Sequence, residues 1–320
     1  MVFDENARVT RRGMLALGGG LVAGALAGRM PAAMAHDGVA AVDAPTALPV
    51  AQIAAIMRAD ATVTHGLVNV EIAREDLNVT GPGGVPMKPP FQIQGDFYWQ
   101  ALGGGQAILN ADISLLASEI QPVIDALLAH GLTMQALHQH FYGLDPQLWF
   151  VHFRGVGDPL ALAEGAAAMV AQTAAPLPQH SPPHLPTPLD PARLARIVGG
   201  EASVGSNGTV TVTVPRRERI TLGGVPISPF LNVASTVVFE PLDWSPDRVA
   251  VSPDFALIAS EVDPVMRFQR DHGWQVHCLY NQETAEHPQL YFSHQLKVGA
   301  TLDLAREVRR ALELTGSRLR

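Results

Sequence analysis

The chain has 320 residues, 47% of them hydrophobic and 16% charged, with a formal net charge of -8. That length and apolar content bury one large core or two ordinary ones, which excludes a chain disordered throughout. The acidic balance supplies no basic footprint for a phosphate backbone, so nucleic acid is excluded as a partner.

Residues 1–35 read as a targeting segment, with a charged start, an apolar Gly/Ala/Leu stretch and a small-x-small end at Ala33-Met34-Ala35. Arg11-Arg12, preceded by Thr10 and followed by Leu15, resembles the twin-arginine export signal of bacteria. The apolar run between Arg12 and Arg29 is about 16 residues, short of the ~20 that span a bilayer. Cleavage is therefore expected after Ala35, giving a periplasmic or secreted chain with no membrane attachment. No cysteine stands at the cleavage site for a lipid, and Cys278, the sole cysteine, has no intramolecular disulfide partner. Cleavage would also make His36 the first residue, whose amine and imidazole can chelate copper. The Ala-rich tail behind it offers nothing to fix such a site.

After the targeting segment, 49–59 has helix composition and "LVNVEIAR" (67–74) alternates as a half-buried strand does. A "GGVP" turn at 83–86 leads to strands at 91–102 and 106–115. A helix then starts near Glu119 and closes at Gly131, with His130 placed to meet its last carbonyls. A strand (132–141), a turn at Gly143-Leu144-Asp145-Pro146, a strand (147–154) and a helix (158–173) complete a unit over 48–175. Its order, α-β-β-β-α-β-β-α, predicts the α+β class, an antiparallel sheet covered by helices.

Residues 176–188 carry six prolines and form a stiff, extended linker. His180 and His184 stand four apart there, but no helix puts them on one face. Beyond the linker the unit recurs over 189–315. "ASEIQPVIDALLAHG" (117–131) aligns with "ASEVDPVMRFQRDHG" (259–273), and "DPQLWFVHFRGVG" (145–157) with "HPQLYFSHQLKVG" (287–299), both at an offset of 142. "GGVP" recurs at 223–226.

The chemistry-bearing stretch is "ALHQHFYGLDPQLWFVH" at 136–152. Side chains alternate along a strand, so His138 and His140 share a face. A hairpin centred on Asp145 sets His138 directly across from His152 and brings three imidazoles together. Such a set with an open position suits a divalent transition metal, Zn, Cu or Fe. Glu119 is the candidate fourth ligand, or general base for a metal-bound water. The competing expectation is a half-exposed hairpin, with Trp149, Val151 and Phe153 inward and the histidines merely facing water. In the second copy Tyr280 and Gln282 replace His138 and His140, and only His294 remains, at the place of His152.

"E-x-x-P-V" before a helix, the "G-L-x-x-x-A-L-H-x-H" strand and "P-x-L-x-F-x-H-x-x-G-x-G" resemble the LppY/LpqO family of exported bacterial proteins, in which a domain of unknown function is usually paired in tandem. The likeness runs from about 48 to 315. The matching positions are Glu119, Pro122, His138, His140, His152 and Gly155, with Glu261, Pro264 and His294 in the second copy. The family's His-Asn-His triplet is His-Gln-His here in the first copy and Tyr-Asn-Gln in the second. The resemblance implies export and carries no activity.

Three readings follow as expectations. One is an exported metal-binding protein, extending to a metal-dependent hydrolase, with His138, His140 and His152 as ligands and Glu119 beside them. The alternative is a non-catalytic module whose two units pack face to face and hold a small molecule or partner between them, and a bare scaffold is the third. No G-x-S-x-G elbow is present, the Gly103-Gly104-Gly105 run lacks the context of a phosphate loop, and Cys278 fits a small buried hydrophobe.

Overall fold

A computed structural model describes residues 47–180 and 186–320. The targeting segment at 1–35, His36 and His184 lie outside the described residues.

The first repeat runs α1 (Val50–Met57), β1 (Ala61–Thr64), β2 (Leu67–Ala73), a short ribbon of β3 (Val79–Thr80) and β4 (Pro86–Met87), β5 (Gln94–Gly103), β6 (Gln106–Leu115), α2 (Ile120–Ala129), β7 (Thr133–His138), β8 (Trp149–Gly157) and α3 (Pro159–Val170). The second runs α4 (Pro191–Val198), β9 (Glu201–Val204), β10 (Val210–Val214), β11 (Thr221–Leu222), β12 (Val225–Pro226), β13 (Ser235–Pro241), β14 (Arg248–Leu257), α5 (Ala259–Asp271), β15 (Gln275–Val276), β16 (Glu286–His287), β17 (Tyr291–Ala300) and α6 (Thr301–Leu312). Each repeat builds a six-stranded antiparallel sheet, ordered β1-β2-β5-β6-β8-β7 and β9-β10-β13-β14-β17-β15. The two orders correspond strand for strand, so the α+β pair read from the duplication is present.

Alternation decides which face of each sheet its helices cover. Val68, Val70 and Ile72 of β2 point to the side where α1, α2 and α3 bury Ile53, Met57, Val123, Leu127 and Met169. Val210, Val212 and Val214 do the same under α4 and α6, with Leu194, Val198 and Val308. The opposite faces pack on one another. Phe91, Phe141 and Phe150 of the first repeat share a cluster with Val238, Ala250 and Leu296 of the second, and Leu67 and Ile108 meet Leu222 and Leu231. The layers are therefore helix, sheet, sheet, helix, and β6 is buried on both faces along nearly its whole length.

Four expectations change. A strand, β1, precedes the first expected one; it pairs with β2 through a two-residue turn in which His65 and Gly66 both take positive φ (54° and 74°), the geometry of tight hairpins. The β7–β8 register places His138 opposite Phe150 and Ala136 opposite His152, not His138 opposite His152. An irregularity between Met134 and Ala136 accompanies this shift. The shift is by two residues, so the face is kept. His140 lies beyond the end of β7, not within a strand to 141. Lastly, the histidine face is covered by the second repeat instead of facing water: His140 and His152 are buried, and His138 is half-buried.

Glu119 is spoken for. Its two oxygens receive Arg74 Nη1 (3.0 Å) and Nη2 (2.8 Å), and also the backbone N–H groups of Leu116 (2.8 Å) and Ala174 (3.2 Å). Glu261 repeats this with Arg216 (2.7 and 3.0 Å), Ile258 N–H (2.9 Å) and Gly316 N–H (2.6 Å). Each arginine also donates to a strand carbonyl, Ser114 or Ala256. The carboxylate thus starts the helix and pins it to the sheet, a use that explains its presence in both copies. Near the linker, His180 Nδ1 meets Asp60 at 3.0 Å.

Candidate metal centre

β8 carries His152 toward the second repeat because Val151 and Phe153, its neighbours, fill the helix-covered core. His138 ends β7 one step along, diagonal to His152, with ring centroids 5.0 Å apart. His140 follows two residues later and lies flat on Phe150 at 3.3 Å. The three residues each offer a ring nitrogen, and those nitrogens lie within 4.8 Å of one another. A tetrahedral ion with ~2.0–2.1 Å bonds wants its ligand nitrogens roughly 3.4 Å apart.

Five of the six ring nitrogens in the set have no hydrogen-bond partner: both of His138, both of His152 and Nε2 of His140. Buried polar atoms are normally paired, and three adjacent rings left open in one place need a further group to satisfy them. His140 Nδ1 is the exception, held at 2.8 Å by Gln92 Oε1. That bond makes Nδ1 the donor and leaves Nε2 as the lone pair facing its neighbours, the second-shell arrangement of a histidine ligand. Burial pushes the His138 imidazolium down to about 3 and lowers His140 and His152 well below their ordinary range. The rings are neutral, as ligands must be.

The second repeat closes the site. Tyr280 stacks on His138 with centroids 3.6 Å apart, and His294 stacks on His140 at 3.7 Å. His294, the counterpart of His152, has its own contacts: Nδ1 lies 3.2 Å from Cys278 Sγ and Nε2 lies 3.6 Å from Asp254. Burial pushes the Cys278 thiol well up. Gln282, the counterpart of His140, donates to the Asn232 carbonyl at 2.6 Å. At the positions equivalent to His140 and His152, Gln282 and His294 have partners within the second repeat, whereas Nε2 of His140 and both ring nitrogens of His152 have none.

A cavity of about 250 Å³ lies between the sheets, with His140 and His152 in its wall. Glu71, Asp96, Asp112 and Asp254 line it too, from β2, β5, β6 and β14. Burial raises Asp112 and Asp254 to about 7, and Asp96 well above its ordinary range. Gln92 and these four carboxyls escape a sequence reading, because a polar residue alternating with apolar ones on a strand reads as a solvent-facing residue. The available signal was register: β2, β5, β6 and β8 set Glu71, Asp96, Asp112 and His152 in one cross-strand row.

Residues 51–172 and 192–314 each match the family model described as a Domain of Unknown Function (DUF1259). No curated protein and no solved structure is detectably similar to the chain.

Proposed function

From the premise that the chain belongs to the DUF1259 family, in two tandem copies, we propose that it is a metal-binding protein with a single tri-histidine centre, His138, His140 and His152, in its first repeat. The observation that carries this is the set of five unpartnered ring nitrogens gathered in a buried site. A borderline divalent ion, Zn, Cu or Fe, would take one nitrogen from each ring, three of the five that stand unpartnered. When bound there, such an ion supplies Lewis acidity and a water of lowered pKa, the chemistry of a metal-dependent hydrolase. Gln92 orients His140, while Phe150 and Tyr280 hold the rings on their flat sides and exclude water. Glu119 has no part in this; its bonds belong to the helix cap.

The cavity between the repeats supports the binding-module reading equally at the level of a ligand pocket, since both repeats contribute to its wall. Export by the twin-arginine route, and the finer LppY/LpqO assignment, belong to the same proposal. Their support is the sequence of residues 1–35 and the motifs already described. The twin-arginine route carries folded cargo, which suits a centre loaded before export.

Metal analysis of protein purified without chelator tests the centre. About one equivalent of transition metal per chain is expected, with loss of that metal in the His138→Ala/His140→Ala double variant. Equal metal content in the variant refutes the centre. Sequencing the N-terminus of the exported protein tests the cleavage, with His36 as the expected first residue.

A further inference from the structure

The cross-strand row that ends on His152 has a direction. Glu71 is exposed at the sheet's near side, Asp96 is half-buried, Asp112 is 7% exposed and His152 is 2% exposed. The row leads from solvent to the tri-histidine centre through three carboxyls, and Asp254 adds a fourth from the facing sheet. No Lys or Arg is among the residues that line this cavity. The carboxyls are met instead by neutral amides: Asn69 on Glu71 (3.3 Å), Gln94 on Asp96 (3.0 and 2.9 Å) and Asn232 on Asp112 (2.9 Å). Asp254 Oδ1 and both ring nitrogens of His152 have no hydrogen-bond partner.

The fold does not require this acidity. The pairing that aligns Asp96 with Asp112 aligns Thr236 with Asp254 in the second sheet, and Thr236 with Thr213 beyond it. The second repeat therefore carries threonines where the first carries Glu71 and Asp96. A row of carboxyls with no cation beside it favours a positive ligand, which relieves their mutual repulsion and the cost of burying the inner ones charged. A bare ion does not answer it. Among the described residues only the three histidines converge on one point, and the carboxyls are spread over successive strands. Neighbouring strands are about 4.8 Å apart, roughly the reach of a three- or four-carbon linker between two nitrogens. The cavity, about 250 Å³, holds roughly eight waters' worth of ligand, enough for a short aliphatic chain.

We propose that the inter-sheet cavity binds an aliphatic diamine or polyamine, with its ammonium groups along Glu71, Asp96 and Asp112 and its far end beside the tri-histidine centre. This deepens the metal reading by naming the ligand class of the same cavity, and it stands or falls separately from it.

Calorimetric titration of the full chain, with metal content measured on the same preparation, tests the proposal. The probes are 1,3-diaminopropane and spermidine, with propylamine and glycerol as controls. One equivalent of diamine or polyamine binds, tighter than either control, and Glu71→Thr/Asp96→Thr weakens it by about tenfold or more, as expected for lost charge-assisted hydrogen bonds. The metal content of that variant is unchanged. Threonine is what the second repeat carries at these places, and Glu71→Gln/Asp96→Asn supplies an isosteric check should the first variant fold poorly. Absence of binding up to millimolar diamine, equal affinity for glycerol or propylamine, or unaltered affinity in both variants overturns the proposal. So does stoichiometric displacement of the diamine by Ca²⁺ or Mg²⁺, which would assign the carboxyls to an ion. Diamine binding to protein that holds no metal refutes the metal centre alone.

Discussion

At the residue scale, Glu240 shows how one atom's difference between the repeats becomes measurable. It stands on β13 where Gln100 stands on β5; Gln100 pairs with Ile108, and Glu240 with Ala250. Gln100 uses its amide fully, donating to the Pro226 carbonyl (3.2 Å) and accepting from Ser228 N–H (2.6 Å). Glu240 is fully buried with neither oxygen hydrogen-bonded, and Lys88 Nζ stands off at 3.6 Å. Burial outweighs that lysine and raises the carboxyl from 4.5 to about 7. A folded-state pKa above the unfolded one means that the native state binds the extra proton between those values. The stabilisation is complete below about pH 4.5 and is lost as pH rises through about 7, with a limiting slope near 1.4 kcal/mol per unit. Glu240→Gln is expected to raise stability at pH 8 by about 1–3 kcal/mol and to flatten the dependence. Thermal unfolding of both proteins at pH 5 and pH 8 checks it; a variant that melts lower at pH 8 refutes the argument.

At the scale of elements, the arginine-carboxylate clamps are the joints between helix and sheet. Arg74 and Arg216 are fully buried, and each holds one glutamate in two hydrogen bonds. Removing one partner of a buried pair leaves an uncompensated charge and costs about 3–5 kcal/mol. Arg74→Met is therefore expected to lower the urea midpoint strongly while leaving metal content per folded chain unchanged. Metal loss at full stability would return Glu119 to the centre. The same elements mark what the sequence can and cannot disclose. Strands β6 and β14 are legible to the residue because their apolar runs are bounded by turn residues, and the repeat fixes their correspondence. The histidine cluster is legible because face depends only on parity, which a register shift of two preserves. The pairing partner of His138 is not legible, since the Met134–Ala136 irregularity and the early end of β7 depend on packing with Phe150 and Tyr280. Nor is the occupation of Glu119, because its arginine lies 45 residues away in sequence.

At the scale of the whole molecule, neither repeat is complete. Phe150 needs Val238, Ala250 and Leu296, and Leu67 and Ile108 need Leu222 and Leu231. Across this seam Asn110 donates to Glu283 (2.7 Å) and to the Leu231 carbonyl (3.1 Å). Either repeat expressed alone is expected to expose that apolar face and to self-associate, whereas the full chain unfolds in one calorimetric transition. Two resolved transitions, or a monomeric isolated repeat of native stability, would contradict this.

The shared seam also bears on descent. A single repeat would cover its inner face by meeting a second copy of itself, the arrangement of a twofold dimer. Fusion released the two halves from having to be identical. What changed afterwards lies on the seam, where His138 faces Tyr280, His140 has Gln282 as its counterpart, and Glu71 and Asp96 have Thr213 and Thr236. Asp112 and His152 on the seam keep Asp254 and His294 as counterparts, and away from it the two arginine-glutamate clamps are the same in both repeats. In the fused chain the two halves differ in role at this seam: one presents the three clustered histidines, and the other supplies Tyr280 and His294, against which two of them stack.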